Sequence, residues 1–149
     1  MPYLRAHLAT LLAVVSLAAS GCHDPSSPMA SLADAQQRWL RARPAAYRIT
    51  LLRSCECLYS VPLVIEVRGD SVTAARVQTT GEPVPATTGA AISVDGLFTV
   101  VGQALSRRVV QLDATYDPRL GYPTHIYIDY AAPVVDDEIA YSVIAFEPL

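Results

Sequence analysis

Lysine is absent from this sequence of 149 residues, because all 11 basic residues are arginine. Without lysine the chain can perform neither Schiff-base chemistry nor general base catalysis by a lysine amine. The 14 acidic residues outnumber the arginines, and the net charge is -3 at pH 7. A basic patch of the kind that binds nucleic acid is therefore not indicated. We exclude lysine-dependent enzymes and expect no nucleic-acid partner.

The apolar segment near the N terminus is too short to cross a membrane as a helix. Residues 8–19 would span ~18 Å as a helix, whereas the hydrocarbon core of a bilayer is ~30 Å thick. A positive head at Arg5, this short apolar run and the small residues after it are typical of a secretory signal. The sequence therefore predicts that residues 1–21 are a signal peptide and take no part in the fold.

The end of this signal, Ala19-Ser20-Gly21-Cys22, resembles the bacterial lipobox. In such signals the cysteine thiol is alkylated with diacylglycerol, and two or three acyl chains on one cysteine anchor a protein stably. We therefore predict lipidation at Cys22 and a membrane-anchored location in the cell envelope, outside the cytoplasm. His23 follows instead of aspartate, which by analogy favours an outer membrane, on its periplasmic side, in a Gram-negative cell. Ordinary secretory cleavage near Ala19, with Cys22 left free, is the alternative.

Residues 22–30 are rich in proline and serine, which predicts a flexible tether. The rest of the chain, residues 31–149, has the length of one domain. His23 lies on the tether, so the domain itself offers His125 as its one histidine. Two cysteines and one histidine do not make a four-ligand zinc site, and we predict no metal and no cofactor.

Cys55 and Cys57 are the only cysteines of the predicted domain. Outside the cytoplasm disulfides persist, but residues two apart in a flat strand lie ~6.6 Å from each other, at the far end of the range for a disulfide. The bridge therefore requires that the chain curls at this point, and Pro62 shortly afterwards favours an end to the strand. We predict a Cys55–Cys57 disulfide, and thiol–disulfide exchange by this pair stays open.

Apolar periodicity predicts two helices and six strands. Ser31 and Ser93 are the predicted helix caps. In chain order the predicted elements are helix 31–43, strands 47–55, 61–67 and 71–78, helix 93–108, and strands 109–116, 123–130 and 139–148. The order αβββ-αβββ suggests an internal duplication. The short links favour an α+β fold in which both helices cover one face of a six-stranded antiparallel sheet.

The uncovered face of the sheet is the predicted binding surface. Tyrosine is favoured at protein interfaces, and several tyrosines occur in the second half of the chain. We place Tyr127, His125, Asp129 and Tyr141 on this candidate face. No catalytic residue is predicted, because His125 and Asp129 would lie ~13 Å apart along one strand. The acidic loops around Asp117 and residues 136–138 leave calcium binding open.

Several segments together resemble a bacterial envelope lipoprotein family, catalogued as domain of unknown function 6174. They are Trp39, the strand ending in Ser-Cys-Glu-Cys at residues 54–57, Val-Asp-Gly-Leu-Phe at 94–98, and the segments 115–130 and 136–138. The resemblance covers about residues 38–149. It implies a lipoprotein with a single domain and paired cysteines, and it implies no catalytic residue.

These observations predict a lipid-anchored envelope protein of unknown activity. The expected role is that of a non-enzymatic binding module whose sheet face contacts another envelope protein. An envelope thiol–disulfide protein that uses Cys55 and Cys57 is one alternative. Inhibition of an envelope hydrolase is another, because a duplicated helix-plus-sheet layout resembles secreted β-lactamase inhibitors. The latter rests on fold analogy.

Overall fold

The computed structural model describes residues 27–131 and 136–149, and it shows the predicted α+β fold. The element order αβββ-αβββ is confirmed. The elements are α1 (Pro28–Ala42), β1 (Ala46–Ser54), β2 (Leu63–Arg68), β3 (Ser71–Val77), α2 (Val94–Arg107), β4 (Gln111–Tyr116), β5 (Pro123–Asp129) and β6 (Ile139–Pro148), with a short 3-10 helix (Ala86–Thr88) before α2.

Helix α1 begins earlier than predicted. Its cap is Ser27, whose Oγ accepts a hydrogen bond from the Ala30 backbone N–H at 3.1 Å, and Pro28 occupies the first turn. Proline suits this position because its missing N–H would have no helical partner there. The cap predicted at Ser31 is therefore wrong, and the last three residues of the predicted tether, 28–30, belong to the helix. Residues 22–26 of that tether lie outside the described residues.

Helix α2 begins as predicted. The Ser93 Oγ accepts from the Gly96 N–H at 3.2 Å, and the helix ends where Arg108 adopts a left-handed conformation with φ 53°. The buried side of the helix consists of Val94, Leu97, Phe98, Val101 and Ala104, which recur at the helical period that predicted α2. The period of the apolar residues thus identified the buried face of α2 correctly.

The six strands form one antiparallel sheet in the order β3-β2-β1-β6-β5-β4. The two halves of the chain meet where β1 pairs with β6. The strand order within each half is the same across the sheet, but the strand directions are reversed between the halves. A rotation that superposed the strands of one half on those of the other would exchange the two faces of the sheet. It would therefore move the helix of the first half to the face opposite the helix of the second half, whereas both helices lie on the same face. The two αβββ units therefore repeat in element order and do not superpose as rigid bodies.

The covered face of the sheet forms the core with the two helices. Trp39 from α1, 1% exposed, lies edge-on to Tyr47 of β1 with ring centroids 5.3 Å apart. Phe146 of β6 stacks on Tyr47 and on Tyr122, at 5.5 and 4.7 Å between centroids. These aromatic contacts fix α1 over the strands at the junction of the two halves.

Polar contacts join the two helices at the edge of the core. The Trp39 Nε1–H donates to Asp95 Oδ1 at 3.1 Å, and Arg43 lies 3.3 Å from Asp95 Oδ2 and 2.8 Å from Asp70 Oδ1. Asp70 belongs to the turn between β2 and β3, in which Gly69 has φ 58° as a tight hairpin requires. The buried Val94 N–H donates to the Tyr47 hydroxyl at 3.1 Å, so the start of α2 is tied to β1.

Among the helices of the described residues, none combines the length and the apolar composition needed to span a bilayer.

Candidate functional site

The face of the sheet opposite the helices is covered by no described element, and we call it the open face. Its middle consists of small and apolar side chains, with Thr50, Leu52 and Val64 partly or fully covered by their neighbours and Ile144 55% exposed. The register places Val64 of β2 and Ala145 of β6 on either side of Thr50 of β1, and Ile144 is the unpaired residue of a β-bulge next to Ala145. The open face is therefore a nearly continuous surface with an apolar centre.

One end of the open face is held by an ion-paired group that sequence reasoning did not identify. Arg48 on β1 donates from Nη2 to Glu66 at 2.8 Å and from Nη1 to Glu147 at 2.8 Å. Glu66 lies on β2 and Glu147 on β6, and both are cross-strand partners of Arg48. Because the pairing of β1 with β6 joins distant parts of the chain, the sequence pattern alone gave no signal for this contact.

His125 lies on the open face, as predicted, and its Nδ1 is 3.0 Å from the Ser142 Oγ. The two residues are cross-strand partners on β5 and β6. Asp129 is four residues further along β5, beside Gln111, and does not contact the imidazole. Among the described residues, the geometry thus provides a serine–histidine hydrogen bond without an aspartate that contacts the imidazole, and these residues do not form a catalytic triad.

Tyr127 and Asp129 also lie on the open face, as predicted. Tyr127 is flanked across the strands by Asp113 and Ala140. Desolvation, followed by the nearby charges of Glu138, Asp129, Asp113 and Asp137, raises the pKa of the Tyr127 phenol. The phenol therefore stays protonated at physiological pH and can donate a hydrogen bond among several carboxylates.

The prediction that Tyr141 shares this face is wrong. Tyr141 is only 7% exposed and is the cross-strand partner of Ile126, whose side chain is buried under the helices. Successive side chains of a strand alternate between faces, and the neighbour of Tyr141, Ser142, occupies the open face. The correct face depends on the register between β5 and β6, which a single sequence does not specify.

Cys55 and Cys57 lie in a tight turn directly after β1. The Cys57 N–H donates to the Cys55 carbonyl at 2.8 Å, and the two Cα atoms are 5.2 Å apart. The sulfur atoms are at bonding distance, as the predicted curl of the chain requires. The Ser60 hydroxyl donates to the Cys55 carbonyl at 2.7 Å and lies 3.6 Å from the Cys57 Sγ. The Ser60 hydroxyl thus contacts both cysteines and stabilises the turn between them.

The acidic loops do not form a metal site in the described part of the chain, which has no group of three or more ligand side chains suited to a metal ion. The carboxylate of Asp117 instead accepts from the backbone N–H groups of Arg119 and Leu120, at 3.0 and 2.6 Å. These bonds give it a structural role in the turn between β4 and β5.

The predicted lipidation site, Cys22, and the predicted signal peptide, residues 1–21, lie outside the described residues.

One comparison with known proteins gave a result. Residues 31–148 match a family described as "Family of unknown function (DUF6174)". Searches of curated proteins and of solved structures found no match. The match covers nearly all of the described chain, including most of α1, all of α2, the six strands, the cysteine turn and the open face. The chain therefore belongs to the family of unknown function DUF6174.

Proposed function

We propose that this protein is a lipid-anchored component of the bacterial cell envelope that binds another envelope protein through the open face of its sheet. We take Cys22 as the anchor, and the folded domain begins at the Ser27 cap of α1. The lipobox-like residues 19–22 support this location. The proposal assigns no catalysis to the domain.

The observation that carries the proposal is the composition of the open face. Its apolar centre, with Ile144 55% exposed, is bordered by the Arg48 ion pairs on one side and by His125, Ser142 and Tyr127 on the other. An apolar centre within a polar border is the usual anatomy of a protein interface. The cross-strand contacts hold the border in place before binding, which lowers the entropic cost of association.

The partner that fits this face presents an apolar side chain to Ile144 and a cationic one to Tyr127. The carboxylates that raise the pKa of Tyr127 make its surroundings negative, so arginine or lysine of a partner would meet both opposite charge and an aromatic ring. Apolar residues at the centre would supply the affinity, and the charges would orient the partner.

A matched pair of substitutions tests the binding face. Ile144→Arg places a charge at the centre of the open face, whereas Leu40→Arg changes a residue of equal volume and similar exposure, 58%, on α1. A photo-crosslinking residue at position 127 in intact cells of the native host should capture a partner, and Ile144→Arg should abolish that capture while Leu40→Arg leaves it unchanged. Equal capture by both variants would refute the assignment of the open face.

The anchor requires its own test. Cys22→Ser should release the protein from isolated membranes, because no thioether can form at serine. Retention of the variant in the membrane fraction, at the level of the unmodified protein, would contradict lipidation.

Thiol–disulfide exchange is the second candidate, favoured by the exposed position of Cys57 and by the adjacent Ser60 hydroxyl. The pocket beside Cys55 is lined by Glu56, Asp136 and Glu138, and negative charge there disfavours a thiolate. We therefore rank a structural bridge above a redox role. Mass-spectrometric mapping of thiols under graded reduction would favour exchange if the bridge opens at the potential of envelope oxidoreductases.

A further inference from the structure

We propose that the free edge of β4, together with α1, is a groove that binds an extended polypeptide segment of a partner as a seventh strand. This site is separate from the open face, and it does not depend on the function proposed for that face. The groove lies where the sheet ends, whereas the open face lies on the opposite side of the sheet from the helices.

The two edges of the sheet differ. The outer edge of β3 is paired with the following loop at residues 75–77, because the Val84 N–H donates to the Ala75 carbonyl at 2.9 Å and the Val77 N–H donates to the Glu82 carbonyl at 2.9 Å. In the part of the chain that the structure describes, no backbone hydrogen bond covers the outer edge of β4. An unpaired strand edge is a template for another strand.

The sequence of β4 leaves this template usable. The strand contains no proline, and Asp113 is its only charged residue. Its side chains alternate regularly, with Leu112, Ala114 and Tyr116 half-buried toward the helices. Natural edge strands that resist pairing use lysine, proline or bulges along their length, and β4 has its one register shift at its last residue.

Helix α1 forms the second wall of the groove. A cavity of about 220 Å³ lies between Pro28 and Ser31 of the helix and Leu112 and Ala114 of the strand. A second cavity of about 430 Å³ continues it between Arg38 and Tyr116. The helix therefore follows the strand along its length. A groove bounded by a strand edge and a helix is a known setting for strand addition.

The charges of the groove indicate which segment fits. The Arg38 Nε is buried without a hydrogen-bond partner among the described residues, and Arg38 takes part in none of the ion pairs found there. Asp34 lines the same cavity as Arg38 and Asp113 lines the first one, but neither forms an ion pair with Arg38 among the described residues. A carboxylate of a bound segment is therefore a natural partner for the unpaired guanidinium donors of this half-buried side chain. The segment that fits has small or apolar residues at alternate positions, packed on Leu112 and Ala114, and an acidic residue opposite Arg38.

A single strand fits this groove better than a second copy of the chain. In a dimer in which the β4 edges of two copies pair, the α1 helices of the two copies would lie side by side. They would then take up the space that the groove offers to a single bound strand. Self-association is therefore an outcome that the test must exclude, together with occupation of the groove by another part of the same chain.

Hydrogen exchange of the full purified chain is the first test. Outward-facing amides of β4 should exchange within minutes, whereas Val77 and Val84 at the opposite edge should be protected. Protection of every β4 amide in the monomer would show that the chain itself covers this edge. Concentration-dependent protection with dimer formation would show a second copy. Either result would overturn the proposal.

The second test uses a selected peptide. A phage-displayed library of random octapeptides is selected against the purified chain, and the best peptide is synthesised as the probe. We expect alternating apolar residues with an acidic residue, and new protection of β4 amides on binding. Arg38→Gln should weaken binding by about tenfold, which is the effect of losing one charge-assisted hydrogen bond, and Arg41→Gln, on the exposed side of the same helix, should leave it unchanged.

Three results would refute the groove: a library that yields no binder above background, a peptide that protects amides elsewhere, or equal affinities for the Arg38→Gln and Arg41→Gln variants. Thermal unfolding of both variants guards against a folding defect. Ser31→Trp, which introduces a bulky side chain between α1 and β4, should also weaken binding, and Ala33→Trp on the exposed side of α1 is its control.

Discussion

Gly121 is the position at which a single methyl group should damage this fold most clearly. It lies in the turn between β4 and β5, has φ +87°, and packs against α1. A Cβ at this position would lie 2.8 Å from the Arg38 Cβ and 3.0 Å from the Trp39 backbone nitrogen, and even closer to the Ala35 carbonyl oxygen. Two of these three atoms are backbone, so the helix itself would have to move.

Two costs add in the Gly121→Ala variant. A left-handed backbone conformation costs an alanine about 1–2 kcal/mol relative to glycine, and overpacking of a close contact costs about 1–3 kcal/mol. We therefore expect a loss of about 2–5 kcal/mol in the free energy of unfolding. This is a large share of the stability of a small domain.

Gly89→Ala is the matched control. Gly89 has φ +63°, but an added Cβ there would meet no atom within 4 Å. Only the conformational cost, about 1–2 kcal/mol, should appear. Urea denaturation followed by circular dichroism measures both variants. Equal losses for the two variants would refute the close approach of α1 to the turn at Gly121.

Three further predictions concern the core and the cysteine turn. Tyr47→Phe removes the acceptor of the buried Val94 N–H and should cost about 1–2 kcal/mol in urea denaturation; an unchanged midpoint would contradict that bond. Burial raises the pKa of Tyr47 and of Tyr116 to about 12. Since the phenols ionise near pH 10 in the unfolded chain, the free energy of unfolding should be at its full value below pH 10 and should fall between pH 10 and about 12. The fall should be smaller in a Tyr116→Phe variant, and a free energy of unfolding that does not change over this range would be inconsistent with burial. Replacement of both Cys55 and Cys57 by serine should cost about 1.5 kcal/mol or less, because the loop between them is very short; loss of folding would show that the bridge does more than close this turn.

Much of the fold could be predicted because its local signals agree with its tertiary structure. The period of apolar residues identified α2 and its buried face, and Ser93 caps it as expected. Alternation placed His125, Tyr127 and Asp129 together, because residues two apart on a strand share a face. The start of α1 was missed because Ser27 and Pro28 lie in a segment whose composition indicates a tether, although serine followed by proline also favours the start of a helix.

The sequence by itself determined the element order, the alternation within each strand and the turn at the cysteine pair, because each of these depends on neighbours along the chain. Only the tertiary structure decided which strands pair and in which register. That register placed Tyr141 in the core, Ser142 beside His125 and Glu147 beside Arg48. The physical reason is that a shift of one residue between β6 and its neighbours would exchange the faces of the whole strand, and only the packing of all six strands against the helices selects between the two arrangements.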